Sequence, residues 1–180
     1  MNPFEKLLEK IDIVPENILD VGAGGFNGTV TTDFLIRKFP TAKMTLCETN
    51  LNKVVLLSEK YSNARLINDN VFRSSNLVVN QDKFDIICVD LDSNDELDLL
   101  NTILSLCDNI ITDNGYVIFY TIYDSNNAEL VKSNANYINY IRRWSTSFFN
   151  VEIVDSEVLN RFFVSNKNFN YISSELKNQL

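Results

Sequence analysis

The stretch LDVGAGGFNG, residues 19–28, holds four of the chain's five glycines within seven positions. Its glycines follow the apolar run NILDV (17–21) directly, and VTTDFLIRKF (30–39) comes next with helical spacing of Val30, Phe34 and Leu35. A strand, a glycine-rich turn and a helix in that order strongly constrain the fold. The missing side chains let the backbone approach a ligand closely. The helix N-terminus beyond them offers unpaired N–H groups and a partial positive charge. One or two glycines would satisfy a tight turn that needs positive φ. Four in seven positions point to a binding loop.

The rest of the chain repeats the strand-then-helix order. Strands are expected at 17–22, 43–48 (KMTLCE), 64–68 (ARLIN), 84–91 (FDIICVDL) and 115–122 (GYVIFYTI). The turn residues Asp113-Asn114-Gly115 introduce the last of these. Helices are expected at 51–61, 95–107 and over much of 125–147, and MNPFEKLLEK reads as a short amphipathic helix. Such alternation implies a parallel sheet with helices on both faces. Apolar runs without a two-residue period fit strands buried on both sides. FNVEIVD (149–155) and RFFVSN (161–166) lie too close together for a crossover helix, so they are expected to pair antiparallel. No linker or internal repeat divides the 180 residues, which read as one domain. Its core is expected at about 17–166, with 1–16 as an N-terminal helix and 167–180 as a tail.

Composition removes several function classes. There is no histidine, which excludes Ser-His-Asp and Cys-His nucleophile systems. The three cysteines (Cys47, Cys88, Cys107) are scattered and form no CxxC, so no metal site is expected. Cys47 and Cys88 fall in apolar runs as buried, reduced thiols, which fits a cytoplasmic protein. No apolar stretch has the ~18 residues of a membrane span, so no membrane partner is expected. The net charge of −8 argues against a nucleic-acid partner, since phosphate backbones need a basic stripe.

Acids recur where strands are expected to end: Asp20, Glu48, Asp69 and Asp90. In open α/β sheets, ligands bind outside the carboxyl ends of the strands. Glu48 is placed to accept two hydrogen bonds from ribose hydroxyls, and Asp69 to accept from an exocyclic amine of adenine. Each acid alone reads as a solvated loop carboxylate; together they read as a site.

Taken by itself, Gly22-x-Gly24-x-x-x-Gly28 resembles an NADP-type Rossmann turn. With the acids included, residues 17–166 resemble a class I S-adenosylmethionine-dependent methyltransferase. The matching features are Asp20-Val21-Gly22-Ala23-Gly24, Glu48 after the second strand, Asp69 in INDNVF, the apolar FDIICVDLD and the turn into DNGYVIFY. The resemblance implies a three-layer αβα Rossmann-like fold, with a seven-stranded, mostly parallel sheet closed by an antiparallel C-terminal hairpin strand. It implies S-adenosyl-L-methionine as cofactor, contacted by Asp20, Gly22, Ala23, Gly24, Gly25, Phe26, Glu48, Thr49, Asp69, Asn70, Asp90 and Leu91. Phe26 departs from the family pattern, standing where a third glycine is usual. It reads either as a cover over the ligand or as packing beneath the loop.

Methyl transfer from a sulfonium is an in-line displacement in which positioning does much of the work. Asp90 and Tyr123 are the candidates for a catalytic role, with Asp92 and Asp124 behind them. Asp90 and Asp92 also read as a helix-capping cluster. The chain lacks the (Asn/Asp)-Pro-Pro-aromatic motif of amino-methylating DNA enzymes and the Pro-Cys pair of cytosine C5 enzymes. The acceptor is therefore read as a small molecule or a protein, with a partner subunit or homodimer as a further option. The alternatives are a non-catalytic binding module of the same fold, a polyamine aminopropyltransferase-like enzyme, and an NAD(P) oxidoreductase. The last fits least, because Asp20 would crowd a pyrophosphate.

Overall fold

The computed structural model describes residues 5, 8–9, 11–24, 29–69, 82–90, 109–122, 128, 150–155 and 160–166. Seven strands form one sheet: β1 (Asn17–Val21), β2 (Lys43–Cys47), β3 (Arg65–Ile67), β4 (Phe84–Asp90), β5 (Ile111–Ile122), β6 (Asn150–Asp155) and β7 (Asn160–Asn166). Their order is β3-β2-β1-β4-β5-β7-β6. β1 to β5 pair in parallel. β7 runs antiparallel to both β5 and β6. Two helices are described, α1 (Val30–Lys38) and α2 (Leu51–Lys60). The helix expected at 95–107 lies outside the described residues, as does the one at 125–147 apart from the helical position 128.

β1 is buried on both faces, and its neighbours Ile18 and Leu19 are both fully inaccessible. Successive strand residues point to opposite sides, so each face of β1 must be covered. Ile18 joins Leu46, Ile86, Cys88 and Ile118 in one cluster with Leu35 of α1 and Leu57 of α2. The two helices therefore seal one face of the same strands that carry the glycine loop.

Two expectations are corrected. Residues 1–16 do not form one helix: the Glu9 N–H donates to the Glu5 carbonyl, but residues 11–16 enter β1 without helical structure. Pro15 explains the break, since it has no N–H to donate and disfavours helical backbone at Val14. The fifth strand also begins at Ile111 rather than 115. Phe84 pairs with Ile111 and Ile86 pairs with Tyr116, so the Asp113-Asn114-Gly115 turn is an excursion inside β5 rather than its start.

Asp85 sits at that irregularity and ties three strand starts together. One carboxylate oxygen accepts the Glu16 and Asn17 N–H groups at 2.8 and 3.0 Å. The other accepts the Thr112 hydroxyl at 3.0 Å.

α1 and α2 are joined by a second polar cluster. Asp33 accepts the Tyr61 hydroxyl at 2.6 Å on one oxygen. Its other oxygen accepts the Lys60 ammonium at 2.8 Å and the Thr29 hydroxyl at 3.2 Å. Lys60 also donates to the Thr29 hydroxyl oxygen. Partial burial works against Asp33 ionisation, but the hydrogen bonds from Lys60 and Tyr61, the Lys60 charge and the Thr29 hydroxyl together outweigh it and lower its pKa. The hydrogen bond to Asp33 raises that of Lys60 against a smaller opposing effect of burial. Burial first, then the bond to Asp33, raises that of Tyr61.

The signs define a pH window. A lowered Asp33 contributes stability above its unfolded pKa and loses it as pH falls through the folded one. The raised Lys60 and Tyr61 contribute below their unfolded values and lose it as pH rises through the folded ones. The cluster's contribution is expected to be flat from about pH 5 to 9, and to fade below about pH 4 and above about pH 10. Both members of the ion pair are nearly half exposed, so its magnitude is small. Urea unfolding of the wild-type chain and Asp33→Asn across pH checks this. Curves that stay parallel through acid would reject the assignment.

Candidate functional site

The site lies at the carboxyl edge of the sheet. Val21 and Cys47, the last residues of β1 and β2, pair in register, and Cys47 pairs with Ile67 at the end of β3. The order β3-β2-β1-β4 means the chain builds outward one way from β1, then returns to its other side. That reversal between β1 and β4 opens a crevice where α/β sheets bind ligands.

The glycine loop leaves β1 through a turn bonded to β2. Gly22 has φ 77°, a left-handed conformation that costs other residues ~1–2 kcal/mol. The Gly22 and Ala23 N–H groups both donate to the Cys47 carbonyl, at 2.9 and 3.3 Å. The Gly24 N–H donates to Oε2 of Glu48 at 3.2 Å. A Cβ on Gly24 would stand 2.7 Å from that oxygen, and 2.6 and 2.9 Å from Cδ and Cβ of Lys53. Gly24 is thus required by a close approach to side chains of β2 and α2.

Glu48, just past the end of β2, is only 7% exposed. Its second oxygen, Oε1, accepts the Asn50 N–H at 2.9 Å and a long contact from the Thr49 hydroxyl at 3.4 Å. Asn50 caps α2, its side chain accepting the N–H groups of Asn52 and Lys53. One buried carboxylate therefore joins the glycine loop to the start of α2. The Asn68 amide donates to the Glu48 and Thr49 carbonyls at 3.0 and 3.2 Å. The Cys47 thiol contacts the Asp69 carbonyl at 3.2 Å. These bonds hold the ends of β2 and β3 as one ledge.

Asp20 is fully buried, and Oδ2 accepts the Thr32 hydroxyl at 2.6 Å. The Thr32 oxygen also lies 3.3 Å from the Ala23 carbonyl. Asp20 is therefore placed beneath the loop, where it sets the position of α1. Asp69 is exposed just beyond β3. The Asp90 backbone ends β4, one residue past Val89, which pairs with Val21. Structure thus brings the ends of β1, β2, β3 and β4 to one edge, with Glu48 and Gly24 in direct contact. Gly25, Phe26, Asn70, Leu91, Asp92, Tyr123 and Asp124 lie outside the described residues.

Sequence reasoning missed three residues. Asn68 and Thr32 each make bonds to the loop or its ledge, and Lys53 lies over Gly24. Lys53 had no detectable signal, since a helix lysine reads as solvated surface. Thr32 left a weak one, as a β-branched residue in a helix's first turn.

The comparisons with known proteins follow this geometry. No protein-family model matches the chain, and no curated protein matches it by sequence. Solved structures do match. A Nostoc punctiforme protein assigned as an O-methyltransferase superposes with a TM-score of 0.70 at 12% identity, over 92% of this chain and 56% of that one. The plantazolicin methyltransferase BpumL, solved with a triazolic desmethylPZN analog and S-adenosylhomocysteine, gives 0.68 at 10% identity, over 93% and 86%. The fold is that of class I S-adenosylmethionine-dependent methyltransferases. Fibrillarin, from a complex with Nop5p, gives 0.66 at 14% identity, over 92% and 82%. The chain therefore spans a little over half the length of the Nostoc protein but most of BpumL and fibrillarin.

Among the described residues, no helix is long and apolar enough to cross a membrane. Nor does any group of three or more Cys, Asp or Glu there suit a metal ion.

Gly24→Ala tests the packing argument. The added methyl forces the Lys53 stem and the buried Glu48 carboxylate apart, and is expected to lower unfolding free energy by ~1–3 kcal/mol. A urea midpoint within error of wild type would show that the approach relaxes freely.

Proposed function

We propose that the chain is an S-adenosylmethionine-dependent methyltransferase acting on a small-molecule or protein acceptor. The observation that carries this reading is Glu48 just past β2, bonded to the Gly24 N–H of the loop that leaves β1, at the carboxyl edge of a methyltransferase fold. The site fits the cofactor chemically. The Glu48 carboxylate has about four acceptor positions, of which the Gly24 and Asn50 N–H groups use two. The rest of its capacity suits a ribose diol.

On this reading the loop backbone of Gly22, Ala23, Gly24 and Gly25 lies against the cofactor, Phe26 and Thr49 flank it, and Asp69 and Asn70 meet the adenine. Asp90 and Leu91 approach from β4, and Asp20 acts through the loop it supports. S-adenosylmethionine, when bound, supplies a methyl group on a positively charged sulfur, already activated for displacement. The chain's own residues then orient the acceptor in line and exclude water. Asp90 and Tyr123 are proposed to accept a proton from an acceptor that must lose one. Methyl transfer to an already nucleophilic acceptor needs no such base.

We further propose a single domain over 1–180 and a cytoplasmic location. Fibrillarin's occurrence with Nop5p supports a partner subunit as one option for acceptor recognition. The test is calorimetric titration with S-adenosylmethionine, S-adenosylhomocysteine, decarboxylated S-adenosylmethionine and NADPH. Micromolar binding of the first two is expected. Preference for the decarboxylated form would indicate aminopropyl transfer, and binding of none would remove the enzyme reading.

A further inference from the structure

We infer that Asp33, Lys60 and Tyr61 form a clamp that holds the cofactor loop in its binding shape, making Tyr61 a positioning residue for the cofactor. This deepens the methyltransferase reading and rests on it. The first turn of α1 is held on two sides. On the inner side, Thr32 donates to buried Asp20 and touches the Ala23 carbonyl. On the outer side its neighbour Asp33 takes the Tyr61 hydroxyl and the Lys60 ammonium, one on each oxygen. Thr29, the described residue at which the chain enters α1, is bonded to both Lys60 and Asp33.

The two helices thus meet twice around one loop. Glu48, Asn50 and Lys53 meet the Gly22–Gly24 turn around the N-terminal end of α2, while Lys60 and Tyr61 at its C-terminal end meet Thr29 and Asp33 at the start of α1. Tyr61 is anchored rather than free to swing: it is half-buried, packs against the core cluster, and its N–H is bonded to the Leu57 carbonyl. It also has the Lys60 ammonium 5.2 Å from its ring centre. A rigid, core-anchored phenol on a carboxylate sets a distance between helices, which a surface ion pair alone does not. Fixing that distance fixes Thr32 against Asp20 and Ala23. The Gly22–Gly24 turn is then presented in one arrangement before ligand arrives, lowering the ordering cost of binding.

The experiment uses the full chain and the variants Tyr61→Phe, Asp33→Asn and Lys60→Met. Affinity for S-adenosylhomocysteine is measured by calorimetry, and amide hydrogen exchange is measured on the ligand-free proteins. The expected result is at least a fivefold loss of affinity in Tyr61→Phe and Asp33→Asn. Exchange is expected to speed up about tenfold at Gly22, Ala23 and Gly24, with the β1 and β4 amides unchanged. A merely structural brace would speed exchange in β1 and β4 as well, and that uniform result overturns the inference. Wild-type binding with variants inside twofold also overturns it. If the wild-type chain binds no S-adenosylhomocysteine, the methyltransferase reading fails separately. The exchange data then decide the clamp: selective loss at Gly22–Gly24 supports it, and unchanged exchange removes it.

Discussion

Replacing Glu48 with alanine is expected to weaken S-adenosylhomocysteine binding about 100-fold, or ~3 kcal/mol. Two losses combine. The first is the pair of charge-assisted bonds proposed between Glu48 and the ribose hydroxyls, which removal of the carboxylate would abolish. The second is internal. The Gly24 and Asn50 N–H groups both donate to this carboxylate, so alanine strands a buried donor in the loop and loosens the entry to α2. The same variant should lose ~1–3 kcal/mol of folding stability. Glu48→Gln separates the two effects, since its amide oxygen still accepts one N–H while the charge is gone. Its NH2 faces the other N–H, so it should bind about tenfold more weakly than wild type and recover about half of the stability lost in Glu48→Ala. Calorimetry with a parallel urea titration reads both. Affinity within threefold of wild type in a folded Glu48→Ala protein would end the ribose assignment.

Asp85→Ala is expected to produce the largest stability loss, ~2–4 kcal/mol, with little change in cofactor affinity for the folded protein. Asp85 accepts two backbone N–H groups and one hydroxyl, and the three donors come from the entries to β1 and β5. Alanine leaves those donors without their acceptor where β4 and β5 slip register. Water reaches this partly exposed edge and limits the cost. Asp85→Asn keeps an acceptor oxygen for the backbone pair and should recover about half of the loss. Asp85 lies at the start of β4 and the loop at the end of β1, so binding and stability should separate. A destabilisation below about 1 kcal/mol, or a loss of affinity matching that of Glu48→Ala, would contradict this placement.

The strand ends were legible because their residues are of types that signal position. Apolar runs such as NILDV and FDIICVD stand out from polar surroundings, and β1 and β4 fall within one or two residues of the expected spans. Glu48 stood out only together with the other strand-end acids, because alone it reads as a solvated loop carboxylate. The start of β5 was not legible: Asp113-Asn114-Gly115 is turn chemistry, and nothing local reveals that Ile111 pairs with Phe84 before the excursion. Residues 11–16 are not helical, and Pro15 is the local signal against a helix running through them into β1. The clamp was hidden for another reason. Asp33, Lys60 and Tyr61 each look like ordinary helix-surface or helix-end residues, and their meaning depends on two helices meeting across 27 and 28 residues of chain.

The sequence by itself determined the alternation of strands and helices, the place of the glycine turn, the absence of histidine chemistry and the acids at the carboxyl edge. These are properties of neighbours along the chain, where side-chain period, glycine freedom and charge act over a few residues. Tertiary structure alone decided that Asp20 is buried against Thr32, that Gly24 is required by Lys53 and Glu48, and that Asp85 ties three strand starts together. Those outcomes depend on which distant segments come within hydrogen-bonding range. That range is about 3 Å, and only the packed sheet and helices set distances so finely.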